Sequence, residues 1–295
     1  MIVHLKGGLG NQLFQLAFAH YLYEKSGKRV RIFLPRVYRS SHDVKEFLEG
    51  CSHLREVSVI ASFFLGLIFR VKWLSFFTYR LGILVFEDDK TVDLFEEVSP
   101  KLSRLYSPQI ISGFWQDWKV AVTSDQLFTS ELQEFLDTRK EMPSETGVSS
   151  EIVVHIRRGD LLLEHNRPVY GIVPLSSYRT LLNHLKHEYP NASVITVSDS
   201  PREVVHEGAR DEFGIILGPD ACDPWQVLKL MRNATAVISA NSTLSWWGAF
   251  MAAELGADVY VPTPWYANFS RESSDKKMYP KFHLYDARYE EEGPK

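Results

Sequence analysis

Hydrophobic residues along this chain fall into two patterns, short unbroken runs and longer stretches spaced three and four apart. Ile2 to Leu5 is a short run that reads as a buried strand. From about Asn11 to Lys25, Leu13, Phe14, Ala17 and Tyr21 recur at helical spacing, and Gly27 is placed to stop the helix. Arg29 to Phe33 alternates again, so the chain opens as strand, turn, helix and strand, which implies a parallel pair.

The alternation returns after residue 150. EIVVHIRRGD is an apolar strand ending in charge, Tyr178 to Tyr189 is helix-like, ASVITVSDS is a buried strand, DPWQVLKLMRNA is a helix, and AVISA and ADVYVPTP are further strands. Strands separated by helices of ordinary length predict a second parallel-sheet domain. Between the two halves, TRKEMPSETGVSS (138–150) is polar, carries proline, glycine and serine, and has no apolar period. It is the candidate linker, giving an N-terminal α/β domain over 1–145 and a C-terminal one over 151–295.

One stretch breaks the pattern. ASFFLGLIFRVKWLSFFTYRLGILVF (61–86) is dense in aromatics and carries Arg70, Lys72 and Arg80 with no acid. Its longest uncharged run is shorter than the roughly 20 apolar residues a spanning helix needs. Two readings remain, a pair of helices packed in a domain core and a surface resting on anionic lipid. The core reading is preferred, because aromatic stripes usually face cores.

Composition narrows the classes. With 295 residues, 45% hydrophobic content and a net charge of −4, the chain is expected to be a soluble globular protein, and bulk nucleic-acid binding is disfavoured. Cys51 and Cys222 lie far apart without CxxC or zinc-like spacing, so cysteine usage suggests neither a disulfide framework nor a structural metal. The N-terminus runs directly into the glycine turn, so a cytoplasmic location without a signal peptide or anchor is expected.

Ligands of open parallel sheets bind past the carboxyl ends of the strands. That rule selects Gly7 to Asn11, His155 to Asp160, Ser198 with Asp199, and Asn241 to Trp247. If strand period holds through IVVHIRRGD, His155 and Arg157 share one face while Ile156 and Arg158 share the other. One arginine there can clamp a phosphate and the other can pair with a carboxylate, for which Asp160 is close in sequence. In SANSTLSWWGAF, small hydroxyls follow a strand and precede a helix, which suits either an anion or an ordinary N-cap. Asp199 could accept hydrogen bonds from a base or ribose, or cap the helix near Pro201. The opening turn has only the first two glycines of GxGxxG, Gly8 and Gly10, with leucine in the third place and no acid ending the second strand. It is a weak dinucleotide fingerprint.

Taken together, GGLGNQLFQ, GFWQDWK, HIRRGD, the SD after a buried strand and SANSTLSWWGAF resemble, in order and spacing, the α-1,2-fucosyltransferases of glycosyltransferase family 11. Leu161 and Leu244 stand where that pattern leads one to expect aromatics. The resemblance implies a GT-B-type α/β fold of two Rossmann-like domains facing a central cleft, GDP-β-L-fucose as donor, and inversion to an α-fucoside on O2 of a galactose residue. It implies that Arg157 holds the β-phosphate, that His155 and Asp199 contact the guanosine, and that Ser242 and Thr243 donate to the diphosphate. Asn11, with Gly8 and Gly10, would face the transferred sugar. Asn11, Arg157 and Asp160 are the expected catalytic residues; Asn241, Gln116 and Asp117 complete the expected binding set. The sequence has no Asp-x-Asp, and Glu87-Asp88-Asp89 is a poor substitute, so arginine in place of a metal is the expectation. The general base is left open between Asp117 and Asp160.

The expected partners are GDP-fucose and a galactose-terminated oligosaccharide of a bacterial surface glycan such as O-antigen, lipid-linked or free; on the less favoured reading of 61–86, an anionic inner-membrane face is a further one. Competing readings are a fucosyltransferase of other linkage, a nucleotide-dependent oxidoreductase using the Gly7–Asn11 turn, and a non-catalytic glycan-binding protein.

Overall fold

The computed structural model describes residues 1–35, 44–81, 83–86, 110–123, 128–140, 151–268 and 272–289. Two compact units divide the chain, Met1–Phe135 and Leu136–Lys295. Most of the candidate linker (141–150) and the acidic run Glu87-Asp88-Asp89 lie outside the described residues.

In the first unit, strands β1 (Ile2–His4), β2 (Val30–Phe33), β3 (Leu54–Glu56), β4 (Leu84–Phe86) and β5 (Ile110–Ser112) form one sheet in the order β3-β2-β1-β5-β4, parallel throughout. Helix α1 (Leu9–Ser26) follows β1 and buries Leu13, Phe14, Leu16, Ala17, Phe18, Tyr21 and Leu22. Burial nearly all round makes it the unit's central helix. It ends at Gly27, whose left-handed φ of 63° and N–H to Tyr23 O close the last turn as the spacing predicts.

The second unit contains β6 (Glu151–Ile156), β7 (Ser193–Ser198), β8 (Ile215–Leu217), β9 (Ala236–Ile238), β10 (Asp258–Thr263) and β11 (His283–Asp286). Their order is β11-β10-β9-β6-β7-β8, again all parallel. Ile152, Val154 and Ile156 pack with Tyr178, Leu182 and Leu185 of the helix Leu175–Glu188, so this face of β6 is core. Asp223 caps the helix Pro224–Arg232 in a reciprocal box with Gln226. From that helix, Arg232 holds Asp137 and Lys229 Nζ donates to Arg139 O, which ties the start of this unit to its own body.

The aromatic segment does not fold as core. Helices Val59–Arg70 and Lys72–Arg80 bury only Leu65, and Phe63 (71%), Trp73 (67%), Phe76 and Phe77 face outward. Apolar residues surround the first helix, but only the side carrying Ala61, Leu65, Ile68 and Phe69 packs on Phe33, Val57 and Ile110. Trp73, Phe76 and Phe77 are more than half exposed. The pair bends by 99°, and no single helix among the described residues is long and apolar enough to cross a membrane.

Candidate functional site

Both sheets reverse direction of growth once, between β1 and β5 in the first unit and between β6 and β9 in the second. Loops leaving adjacent strands diverge at such a point and open a crevice. Each crevice collects the polar residues that the sequence singles out.

In the second unit the turn after β6 separates the two arginines. Arg158 is fully buried, its fork gripped by Glu207 through two bonds of 2.6 Å, with Nη1 donating to Arg157 O at 2.9 Å. Its partner is therefore Glu207 and not the nearby Asp160. Arg157 lies on the other face, partly exposed, and its Nη2 meets both oxygens of Asp160 at 2.8 Å. Nη1 points toward Asn241 O, past β9, at 3.4 Å. A planar fork with one accessible carboxylate partner, reaching from one loop of the crevice to the other, matches the donor geometry that phosphate oxygens accept.

Asp199, past β7, accepts the Arg158 N–H at 2.7 Å and also bonds the Gly159 amide. A Cβ on Gly159 would lie 2.4 Å from Asp199 Oδ2, so glycine is needed there for close approach. Burial raises the Asp199 pKa, opposed by these bonds and by Arg157. Asp199 thus clasps the turn and does not cap the helix Pro201–His206. His155 is buried on the strand itself. Desolvation, with Arg157 second, lowers its pKa to about 4, and its Nδ1 has no hydrogen-bond partner among the described residues. That nitrogen is enclosed within the unit, on the same strand face as Arg157.

Past β9, Asn241 is buried and spends its amide N–H on Tyr170 O at 2.8 Å, which anchors the short helix Arg167–Tyr170. Ser242 sits at the N-cap of helix Thr243–Glu254 without making a side-chain cap bond, and Thr243 begins the helix. An N-cap hydroxyl not turned onto its own helix, next to first-turn amides, complements Arg157 across the crevice. Trp246 and Trp247 are fully buried, and Trp246 Nε1 donates to Lys277 O. They are packing residues.

In the first unit, the turn after β1 is locked by two glutamines that sequence reading missed. Gln15 is fully buried and bonds Lys6 twice, accepting from its N–H at 2.8 Å and donating to its carbonyl at 3.1 Å, as a neighbouring strand would. Gln12 Nε2 donates to Gly7 O. The signal for both was two glutamines three apart, next to the apolar positions of one helix. Gly7 has φ 78° and would place a Cβ 2.4 Å from Asn11 Nδ2, so it is the glycine this turn requires. Gly8 is exposed, with open space where a Cβ would stand, whereas Gly10 is buried in the first turn of α1. Across the crevice, Gln116 Nε2 donates to Asn11 Oδ1 at 2.7 Å, joining the loops after β1 and β5. Trp115, stacked on Phe18, holds a left-handed φ of 54°, which aims the next residue, Gln116, at Asn11. Asp117 is buried and accepts the Lys119 N–H, so it caps the helix Trp118–Thr123.

The structure therefore gathers His155, Arg157, Asp160, Asn241, Ser242 and Thr243 in one crevice with Asp199 behind it, and Asn11, Gly8, Gln116 and Asp117 in the other. The family model for glycosyl transferase family 11 matches residues 101–282, and the chain belongs to that family. The oxidoreductase reading of the first turn falls with that membership. Over 303 residues the chain is 26% identical to an alpha-1,2-colitosyltransferase of Escherichia coli, covering 93% of this chain and 95% of that one. It is 23% identical to the O-antigen biosynthesis glycosyltransferase WbnK of Escherichia coli, covering 89% and 94%. The solved structure of the fucosyltransferase NodZ from Bradyrhizobium aligns over 85% of this chain and 93% of that chain at 12% identity, with a TM-score of 0.48.

The two arginines should separate in stability measurements. Arg158→Ala empties a fully buried side-chain position and releases Glu207, and should cost about 3 kcal/mol or more, whereas Arg157→Ala should change urea stability by about 1 kcal/mol or less. Equal losses would contradict the assignment. Acid should also destabilise the fold through His155 and through His4, which burial and Lys6 likewise lower to about 4. Both folded pKa values lie below the unfolded value near 6.5, so the unfolded chain binds more protons, and stability present above pH 6.5 is lost as pH falls toward 4. Each histidine should remove about 2 kcal/mol by pH 5. Urea midpoints at pH 7 and pH 5 check this, with His155→Gln expected to show a smaller drop than the wild type.

Proposed function

We propose that this family 11 glycosyltransferase is an inverting, metal-independent α-1,2-fucosyltransferase that moves L-fucose from GDP-β-L-fucose to O2 of a galactose residue in a glycan acceptor. The observation that carries the reading is the partly exposed Arg157 fork, set between Asp160 and the Asn241 carbonyl in the crevice between β6 and β9. A nucleoside diphosphate presents matching charge and paired oxygens to that fork. The name of the colitosyltransferase relative supports the 1,2 linkage.

In the proposed reaction the acceptor oxygen forms a bond to C1 of the sugar on the face opposite GDP. The bond from C1 to the phosphate oxygen breaks with its electron pair leaving on GDP, and the acceptor's proton is released in the net reaction. Arg157 stabilises the charge gathering on the diphosphate, and the first-turn amides with Ser242 and Thr243 add donors without reorganising. Asp160 holds the Arg157 fork before donor arrives and is a positioning residue. Asn11, oriented by Gln116, holds the sugar or the incoming hydroxyl. Arginine at the leaving group supplies what a divalent ion supplies elsewhere.

The exposed helix pair extends the proposal to location. Apolar side chains interleaved with Arg70, Lys72 and Arg80 suit the cytoplasmic face of an anionic bilayer, where a lipid-linked acceptor is presented.

Calorimetric titration in chelator should show GDP and GDP-fucose binding, with neither UDP-galactose nor NAD bound. Arg157→Ala should lower turnover about a hundredfold or more while the protein stays folded. Donor competition between GDP-fucose and GDP-activated colitose decides the sugar; preference for the latter, or a need for added metal, would overturn the corresponding part of the reading. Protein should also sediment with anionic vesicles, and replacing Phe63, Phe64 and Trp73 with serine should abolish it; equal sedimentation of both proteins counts against membrane contact.

A further inference from the structure

Away from the crevice, α1 and two distant segments of the first unit bring three ligating groups together. His20 on α1, His53 just before β3 and Glu131 on the helix Ser130–Asp137 each offer one coordinating atom, all within 4.8 Å of one another. His53 Nε2 lies 2.8 Å from His20 Nδ1 and 3.4 Å from His20 Nε2. His20 Nε2 lies 3.6 Å from Glu131 Oε2, and His53 Nδ1 lies 3.8 Å from Glu131 Oε1.

Hydrogen bonding accounts for only part of this cluster. Both imidazoles are buried in aromatic surroundings, with His20 edge-on to Phe128 and His53 stacked on Tyr23. Glu131 Oε2 is buried and has no hydrogen-bond partner among the described residues, its nearest imidazole nitrogen being too distant for one. An imidazole nitrogen without a proton and a carboxylate oxygen are both ligands for a divalent transition metal. Bonds of about 2.0–2.1 Å to a tetrahedral ion put ligand atoms about 3.4 Å apart; His20 Nε2 meets this at 3.4 Å from His53 Nε2 and 3.6 Å from Glu131 Oε2, and the three atoms together lie within 4.8 Å.

We propose that His20, His53 and Glu131 bind one zinc-type divalent transition-metal ion as a structural site, with a solvent molecule in the fourth position. Two nitrogens and one carboxylate select such an ion over magnesium or calcium, which prefer oxygen. The buried Cys51 thiol donates to Phe47 O at 3.4 Å beside this cluster. The ion would join residues 20, 53 and 131, clamping the helix whose first turn carries Asn11. Cysteine spacing gives no hint of this site, because its ligands are scattered histidines and an acid.

The test uses the full chain, stripped with chelator and titrated with Zn²⁺ alone. The wild type should take up one ion per chain, and its melting temperature should rise by about 5 °C at a hundredfold excess over Kd. Glu131→Gln and His53→Gln should each weaken uptake about tenfold or more, whereas His283→Ala, an exposed histidine elsewhere, should bind as the wild type does. Should His53→Gln fail to fold, Glu131→Gln makes the same test at a partly exposed position. Uptake by Glu131→Gln equal to that of the wild type, or no Zn²⁺ uptake by the wild type, would overturn the proposal.

Discussion

The buried Arg158 fork, held by the solvent-accessible carboxylate of Glu207, sets the geometry on which the second unit depends. A guanidinium with no exposure is stable only with its counter-ion, and Glu207 supplies two bonds of 2.6 Å. Holding Arg158 inward fixes the strand period at the end of β6, so Arg157 must emerge on the opposite face with His155. Asp199 secures the same turn from β7 by taking the Arg158 and Gly159 amides. One arginine is therefore fixed to the protein, and the other is held by a partly exposed aspartate from which an anion can draw it.

The first unit solves a similar problem without charge. A glycine turn leaving a parallel strand exposes backbone groups that need partners. Gln15 pairs with Lys6 in the manner of a missing strand, and Gln12 satisfies the Gly7 carbonyl. Asn11 instead meets Gln116 from the other loop of the crevice. In each unit, residues that look interchangeable in the sequence divide into one that builds the turn and one that faces the crevice.

Much of this is legible in the sequence. The strands β1, β6, β7 and β9 and the helices after them follow from unbroken apolar runs and helical spacing, and the loops past those strands hold most of the site. Strand period separates Arg157 from Arg158 but cannot name Glu207, which is close only in the folded unit. Short edge strands such as β3 (LRE) and β11 (HLYD) carry no apolar run, and their pairing is set by the neighbouring strand. Composition sends the aromatic segment into a core because it reports hydrophobicity and not what packs against it. Asn241 carries a site motif, yet its amide supports a neighbouring helix.

The most direct measurement is a crystal structure of the protein with GDP in chelator. The account predicts the diphosphate in the crevice between β6 and β9, with the Arg157 guanidinium on phosphate oxygens. A diphosphate bound at the turn after β1, or one in the second unit that leaves Arg157 on Asp160 alone, would contradict it.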